Sequence, residues 1–354
     1  MDSNTKITKQ TKNKIRVDYE GKLSFKERLQ AKLKSSNTWI KALVNIARFI
    51  LMLGVSFVIL YPFFSRIAQS FMTEKDIVNL TVTYIPREFT LDIYRSVIFD
   101  KHYLEALLNT FLLSLACALV QMFISCLIGY GLAKFKFKGN KLVMITVILT
   151  MIIPHSTIKF SMKKLFTEFD ILTIKGMKYA GPIELITGDY LHLSDTFAPL
   201  IILSVCGLAF KNGLYIYLMR QFFKGVPDEL EESAYVDGAG TFRTFIQIIL
   251  PLAVPMMITV FLFSFSWQWT DDFYTQIFFP TKDGDSVIYL MSDLYYPIQD
   301  FDSIIVNEYT TYPLDFRNAI MNTAGIMIIA PLVILYLFCQ RYLVQGIERS
   351  GLVG

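Results

Sequence analysis

The stretch PDELEESAYVDGAGTFRTFIQIILPLAVP, residues 227–255, decides how this chain is organised. It is acidic at its start and rich in small residues, yet it lies between two long apolar segments. Pro227 suits the first position of a helix, where its missing N–H costs nothing, and the acids that follow it lie near the positive end of the helix dipole. The pattern therefore predicts a charged helix-turn-helix that begins here.

The first of these two helices carries a small uncharged face. Leu230, Ser233 and Ala234 are spaced i, i+3, i+4, which places them on one side of a helix. A face of this modest size can enter a shallow groove on another protein. The alternative is an ordinary amphipathic loop helix that lies on a membrane surface.

A turn at Asp237-Gly238 separates the two helices, because glycine takes the left-handed conformation that ends a helix. The second helix is expected over residues 239–250 and is expected to end at Pro251. Its sequence becomes apolar as it proceeds. The result is a bent elbow joined rigidly to the next apolar segment.

The composition places most of the chain in lipid. Its 354 residues are 53% hydrophobic and include 30 Phe and 19 Tyr, and the mean hydropathy is +0.44. These values are too apolar for an ordinary soluble enzyme. The net charge of +4 is mild and does not indicate nucleic-acid binding.

Six segments meet or approach the roughly 20 apolar residues that a helix needs to cross a bilayer. Glycine and proline interrupt them, which is tolerated where helices pack on one another. The fold class expected is an all-α integral membrane protein with six transmembrane helices. They are predicted at residues 43–67, 106–133, 142–162, 197–222, 254–279 and 318–342.

Basic loops set the orientation. Four lysines and no acid lie at 134–141, which predicts a cytoplasmic loop, whereas the acidic segment 281–315 is expected outside. Six spans then place both termini inside. The organisation expected is a basic cytoplasmic tail (1–41), a permease domain (42–345) with a cytoplasmic loop at 224–253 and enlarged outer loops at 68–105, 163–196 and 280–317, and a cytoplasmic C-terminal tail (346–354).

The elbow resembles the "EAA" loop of permease subunits in binding-protein-dependent ABC importers. The residues that carry the resemblance match the pattern EAA, DGA and I-x-L-P, with Ser233 in place of the first alanine. They are Glu232, Ser233, Ala234, Asp237, Gly238, Ala239, Ile248, Leu250 and Pro251. The segment 210–232 and the C-terminal YLVQGIERSGLVG, residues 342–354, are similar to the carbohydrate branch of this family, of the maltose-transporter type.

This resemblance implies a type I ABC importer (MetI-like) permease fold in a bacterial cytoplasmic membrane. It implies that the matched residues, together with Leu230, dock onto an ATPase. It also implies a second permease subunit, two ATPase subunits, an extracellular solute-binding protein and, as the solute, a carbohydrate of the oligosaccharide class. The chain itself would bind no cofactor, since ATP and magnesium belong to the partner subunits, and would not be an enzyme.

Polar and aromatic residues near the outer ends of the last two spans are candidates for the substrate pathway. Carboxylates and amides bond to sugar hydroxyls, and Trp faces stack on apolar sugar faces. The candidates are Trp267, Trp269, Asp271, Asp272, Asn318 and Asn322. The alternative is an interfacial aromatic belt whose aspartates already reach water.

The sequence gives little support for nucleotide or metal binding by this chain. There is no GxxxxGK[ST] stretch for a phosphate-binding loop, and the three histidines lack a second ligand at metal spacing. No metal site is expected. The remaining alternatives are an ABC permease for a non-sugar solute and an ion-coupled secondary transporter.

Overall fold

The computed structural model describes residues 36–99, 102–169, 191–279, 287–295 and 313–349, and it places the side chains of all of these except 36–39, 42 and 344–349. The described residues form helices and two isolated β-bridges. The helices are α1 Ser36–Gln69, α2 Glu74–Val78, α3 Asp92–Phe99, α4 Tyr103–Lys134, α5 Asn140–Ile152, α6 His155–Thr167, α7 Ala198–Val205, α8 Asn212–Lys224, α9 Glu229–Val236, α10 Thr241–Trp269, α11 Phe273–Phe278, α12 Met291–Tyr295 and α13 Leu314–Arg349.

Parts of the predicted tails and outer loops lie outside the described residues: 1–35, 100–101, 170–190, 280–286, 296–312 and 350–354. The chain divides into two units at Ser65 and Arg66, within α1. In the first unit, the described apolar side chains are exposed, for example Leu43 at 70% and Phe49 at 66%. Lipid or another chain must cover them, because an apolar surface of this size is unfavourable in contact with water.

Four of the described helices are long and apolar enough to cross a membrane, and a bent pair gives a fifth candidate. The four contain the predicted first, second, fifth and sixth spans for most of their length. They are Leu43–Gln69, Tyr103–Lys134, Thr241–Trp269 and Leu314–Leu343. The structure therefore confirms the all-α membrane class but not the predicted number of six continuous spans.

The predicted third span, 142–162, is bent. Helix α5 ends at Ile152, α6 begins at His155, and the two axes differ by 97°. Pro154 lies at the bend, where it has no N–H to donate and disfavours helical geometry in the residue before it. Since α5 has 13 residues, it is about 20 Å long, which is less than a bilayer core of about 30 Å.

The predicted fourth span, 197–222, is also broken. Helix α7 ends at Val205 and α8 begins at Asn212. Two residues of the connection have left-handed backbones, Gly207 with φ +71° and Lys211 with φ +63°. A continuous helix is impossible with these dihedral angles, so the apolar run is divided into pieces of eight and 13 residues.

The fifth span differs from its prediction at both ends. The second helix of the elbow does not stop at Pro251 but continues as α10 from Thr241 to Trp269, 29 residues in all. A π-helical turn at Phe245–Ile249 directly precedes this proline. Its wider spacing accommodates the ring, which would otherwise meet the carbonyl four residues earlier. At the other end, residues 270–272 separate α10 from α11, although a span to residue 279 was expected.

The core of the second unit is centred on α4, which packs against α7, α8 and α10, while α10 also packs against α13. Gly129 allows α4 and α8 to approach closely, because a Cβ atom there would lie 2.6 Å from Met219 Cβ. A buried polar chain ties three helices together. Gln121 of α4 donates to Ser204 Oγ at 3.0 Å and accepts from Ser264 Oγ at 2.7 Å.

Candidate functional sites

The first candidate site is the α9 loop, residues 225–240, which connects α8 to α10. Helix α9 carries acidic residues in its first turn and ends in a Schellman motif. Gly238 has φ +78°, and its N–H donates to Tyr235 O at 3.0 Å. The N–H of Ala239 donates to Ala234 O at 2.9 Å. The predicted turn at Asp237-Gly238 is confirmed, with two hydrogen bonds that close the helix end.

Lys134, the last residue of α4, holds the entry to this loop. Its Nζ donates to Val226 O at 2.6 Å and to Asp228 Oδ1, and it lies 3.8 Å from Glu231 Oε1. The side chain of Lys134 is only 6% exposed. In the sequence, the charge of this lysine indicated only the orientation of the loop at 134–141. Its position shows that it also ties the loop to the central helix.

These contacts have opposite effects on two acids of α9. Hydrogen bonding to the Lys134 ammonium holds the pKa of Asp228 below its usual value. Burial raises the pKa of Glu231, and the nearby Lys134 charge opposes this rise. Glu231 is 8% exposed, so the Lys134 ammonium provides most of the stabilisation of its negative charge.

The predicted docking face of α9 is only partly exposed. Leu230 is 37% exposed and Ser233 is also exposed, but Ala234 is 4% exposed and packs inside this chain. Spacing identifies the face of a helix but not which face turns inward. Of the other predicted coupling residues, Glu232, Asp237, Gly238 and Pro251 are exposed, whereas Ala239, Ile248 and Leu250 are half-buried.

Two exposed apolar side chains beside the turn were missed by the sequence analysis. Val236 is 88% exposed and Phe242 is 77% exposed, and Tyr235 is 42% exposed next to them. Apolar side chains this exposed in a polar loop mark a surface that another molecule covers. The sequence contained one indication of this surface. A valine comes directly before Asp237-Gly238, at a helix end where no apolar stripe facing the membrane was predicted.

The second candidate site, here called the main cavity, has a volume of about 1100 Å³ and lies among the ends of α10 and α12 and one face of α13. Four of the six predicted pathway residues line it: Trp269, Asp272, Asn318 and Asn322. The structure thus brings together side chains from two spans that are nearly 50 positions apart in the sequence.

Further polar residues of the main cavity were not predicted. They are Arg66, Gln69, Thr270, Ser292 and Asp315. A helical signal was present for the last of these, because residues 315, 318, 322, 325 and 329 follow a spacing of three and four and all line the cavity. Arg66 donates to Gln69 Oε1 at 2.8 Å, which orders this pair at the rim.

Trp269 is the aromatic member of the cavity wall. It is 1% exposed, its Nε1 donates to Ile328 O at 3.0 Å, and its ring stacks on Phe265 with centroids 5.5 Å apart. These contacts fix the indole between α10 and α13. The Trp269 ring therefore presents a rigid apolar edge to the main cavity.

Trp267 and Asp271 lie away from the main cavity. Asp271 accepts backbone N–H bonds from Tyr274 at 3.1 Å and Thr275 at 3.2 Å, so it caps α11. Trp267 is 48% exposed, and Lys211 Nζ lies 5.0 Å from the centroid of its ring. The main cavity therefore does not include these two residues, and their part in a substrate pathway stays a prediction. Among the described residues, no three His, Cys, Asp or Glu side chains gather as a metal site would require.

Comparison with known proteins agrees with this architecture. The model of the family "binding-protein-dependent transport system inner membrane component" matches residues 121–349. The chain is 25% identical over 299 residues to the inner membrane ABC transporter permease protein YcjP of Escherichia coli (strain K12), covering 83% of this chain and 91% of that protein. It is also 25% identical over 308 residues to AmyC of Thermoanaerobacterium thermosulfurigenes, a probable starch degradation products transport system permease protein, covering 86% and 96%.

A solved structure shares the fold. A bacterial ABC transporter involved in the import of the acidic polysaccharide alginate superposes with a TM-score of 0.63 and 20% identity, over 87% of this chain and 98% of that one. The family match covers well over half of the chain and includes both the α9 loop and most of the main cavity. The chain therefore belongs to the family of binding-protein-dependent transport system inner membrane components, the membrane subunits of ABC importers, whose ATPase is a separate subunit.

Proposed function

We propose that this chain forms half of the translocation pathway of an ATP-driven carbohydrate importer. Helix α10 carries this proposal, because one continuous element joins the two candidate sites. It begins directly after the α9 loop and ends at Trp269 in the wall of the main cavity. Its 29 residues span about 43 Å, enough to cross a bilayer.

A rigid connection of this kind transmits force. The Schellman turn and Lys134 restrain the α9 loop, so a displacement of α9 moves α10 with it. An ATPase that closes on ATP would push the loop, and the far end of α10 would then alter the main cavity. The pair of permeases would alternate between two arrangements that the nucleotide state selects.

The proposed ATPase contact is the exposed side of α9 and the start of α10. Leu230, Ser233, Val236 and Phe242 supply exposed uncharged side chains there, among exposed acids of α9. The ATPase subunits would hold ATP and magnesium, and this chain would bind no cofactor. With the α9 loop in the cytoplasm, an even number of membrane crossings on each side of this loop would place both termini there too, in a bacterial cytoplasmic membrane.

Carbohydrate as the solute is supported by the chemistry of the main cavity. Its amides and carboxylates can donate to and accept from hydroxyl groups, and the edge of Trp269 adds an apolar contact. The names of AmyC and of the alginate importer point to the same class of solute. A solute-binding protein would deliver an oligosaccharide, and a second permease subunit, a different chain, would complete the path.

The proposal is tested by assembling the chain with candidate ATPase, permease and binding-protein subunits in liposomes. A cysteine at Val236 should form a cross-link to the ATPase, whereas Ala234 is too buried to report this contact. Labelled oligosaccharide uptake should require ATP. Val236→Asp should reduce both cross-linking and uptake. Phe137→Asp is the control, because this exposed apolar side chain lies in the loop between α4 and α5, outside the proposed contact.

Two outcomes would contradict the proposal. If the α9 loop is labelled by a reagent confined to the outside of intact cells, the orientation is wrong. If the assembled complex imports a non-sugar solute and ignores oligosaccharides, the importer assignment stands but the solute class does not.

A further inference from the structure

Helix α6, residues His155–Thr167, lies nearly at right angles to the helix before it. The axes of α5 and α6 differ by 97°. Helix α5 starts close to the Lys134 end of α4 and exposes apolar side chains along its length, such as Leu142 at 66% and Ile152 at 67%, so it runs through lipid. A helix perpendicular to α5 therefore lies along a membrane surface rather than across the bilayer.

Contacts with α11 show at which level α6 lies. Near the start of α6, His155 Nδ1 is 2.7 Å from the Tyr274 hydroxyl. Near its end, the ring of Phe166 meets that of Phe278 edge-on, with centroids 5.2 Å apart. Helix α11 directly follows the Trp269 end of α10, and α10 is longer than the roughly 30 Å hydrocarbon core. Both ends of α6 are therefore held where hydrocarbon gives way to lipid headgroups.

The apolar side of α6 is wider than the part that packs inside the chain. Phe166 faces the core and is 2% exposed. Ile158 and Leu165 are seven positions apart, so they lie on one flank of the helix, and they are 37% and 50% exposed. Phe160 is 83% exposed. Apolar side chains that are exposed on a helix at the membrane surface enter the boundary between headgroups and acyl chains.

The charge of α6 is entirely basic, with three lysines and no acidic residue. Lys159 and Lys163 are four positions apart and so share a side of the helix, about 100° to 160° around the axis from the flank of Ile158 and Leu165. Among the residues that the structure describes, no carboxylate forms an ion pair with either lysine. The third, Lys164, precedes Glu168 by one turn, so the argument rests on the other two.

We propose that α6 is an interfacial helix that binds the headgroups of anionic phospholipids. Ile158 and Leu165 enter the acyl boundary, and Lys159 and Lys163 contact the lipid phosphates. Lysines on one side of a helix and exposed apolar residues on another suit an anionic lipid surface. The bend between α5 and α6 has a purpose in this arrangement, because it turns α6 onto the surface. The proposal is independent of transport and requires only that the chain crosses a bilayer.

The test places the full-length chain in nanodiscs of phosphatidylcholine, in which a stepped fraction of the lipid is replaced by phosphatidylglycerol. Hydrogen–deuterium exchange of the peptide covering residues 155–167 reports how firmly α6 is held. In the wild type, this exchange should slow as the phosphatidylglycerol fraction rises. High salt should weaken the effect, because it screens exposed charges.

Single charge removals identify the lysines that bind. Lys163→Gln should raise the phosphatidylglycerol fraction at half-maximal protection about fivefold, the effect expected for one lysine at an anionic surface. Lys159→Gln is a second, independent variant with the same expectation. Lys75→Gln is the matched control, because Lys75 is also an exposed helical lysine, but it lies in α2. Leu165→Gln should speed exchange in every lipid mixture, pure phosphatidylcholine included, since it removes an apolar contact.

Two results would overturn the proposal. Exchange of residues 155–167 that does not depend on phosphatidylglycerol in the wild type would mean that another protein surface covers α6. Equal responses of the wild type and both lysine variants would mean that the charge of the bilayer acts elsewhere on the chain. Equal exchange of the wild type and the lysine variants in pure phosphatidylcholine shows that α6 is still folded, and if one variant loses the helix, the other decides.

Discussion

The end of α9 offers a direct test of how rigidly this loop is held. Gly238 has φ +78°, and no heavy atom lies within 4 Å of the position that a Cβ atom would take. Gly238→Ala therefore introduces backbone strain without a steric clash against neighbouring elements. A left-handed conformation costs a non-glycine residue about 1–2 kcal/mol. The nearby Gly240 has φ −75° and equally open surroundings, which makes Gly240→Ala the matched control.

The strain should open the last turn of α9 more often. A cost of about 1–2 kcal/mol corresponds to a roughly 5- to 30-fold rise in the population with this turn unfolded. The N–H groups of Gly238 and Ala239, which donate to Tyr235 and Ala234, report this opening. Hydrogen–deuterium exchange of the peptide covering residues 229–241 should therefore accelerate by that factor in Gly238→Ala and remain nearly unchanged in Gly240→Ala.

A third variant separates backbone strain from the loss of glycine as such. Gly238→Asn should exchange at a rate closer to the wild type, because asparagine tolerates the left-handed region better than alanine does. In the assembled transporter, substrate-stimulated ATP hydrolysis should fall in the same order as protection of the loop. Equal exchange in Gly238→Ala and Gly240→Ala would refute the Schellman turn as the element that holds α9.

The remaining predictions concern packing and the main cavity. Lys134→Met should destabilise the assembled complex by about 2 kcal/mol, since it removes charge-assisted hydrogen bonds and leaves a buried acid uncompensated, and thermal unfolding would show it. Gly129→Ala should lower the unfolding midpoint through an overpacking cost of about 1–3 kcal/mol, whereas Gly131→Ala, with its nearest neighbour 3.9 Å away, should not. Asn322→Ala should weaken solute uptake about fivefold, measured as half-saturation of transport, by removing one hydrogen bond of about 1 kcal/mol, while Thr323→Ala should not.

Each of these has a clear contrary result. An unchanged unfolding midpoint for Lys134→Met would mean that the ion-pair cluster contributes nothing to the anchoring of α9. Equal unfolding midpoints for Gly129→Ala and Gly131→Ala would show that α4 and α8 can move apart without a loss of stability. Uptake that responds to Thr323→Ala as strongly as to Asn322→Ala would point to a packing defect rather than contact with the solute.

Short sequence signals were sufficient for several features of this protein. The length of an apolar run limits which helices can cross a bilayer, so three of the four long helices were located nearly at their observed positions, and the fourth, α10, was located with its ends displaced by 10 to 13 residues. The turn at Asp237-Gly238 was predicted because one glycine satisfies a backbone requirement that its neighbours cannot. Family membership followed from the same local pattern, and the family model confirms it.

Other features depend on how the helices pack and were not available from local patterns. Hydropathy does not distinguish a continuous helix from two short ones, so the breaks before His155 and Asn212 were missed. The inward orientation of Ala234 depends on the helix that α9 packs against. A proline in a helix interior usually breaks or kinks it, yet α10 passes through Pro251, shortly after a π-helical turn that local patterns did not predict.

The amino-acid sequence by itself determined the membrane class, the long apolar helices and the glycine turn, because each depends on the chemistry of a few consecutive residues. Only the tertiary structure decided which polar side chains share a cavity. Trp269 and Asn322 line one cavity while Trp267 lies in another place, although it is only two positions from Trp269. Two positions along a helix rotate a side chain by about 200°, so the packing of the neighbouring helices sets what each residue meets.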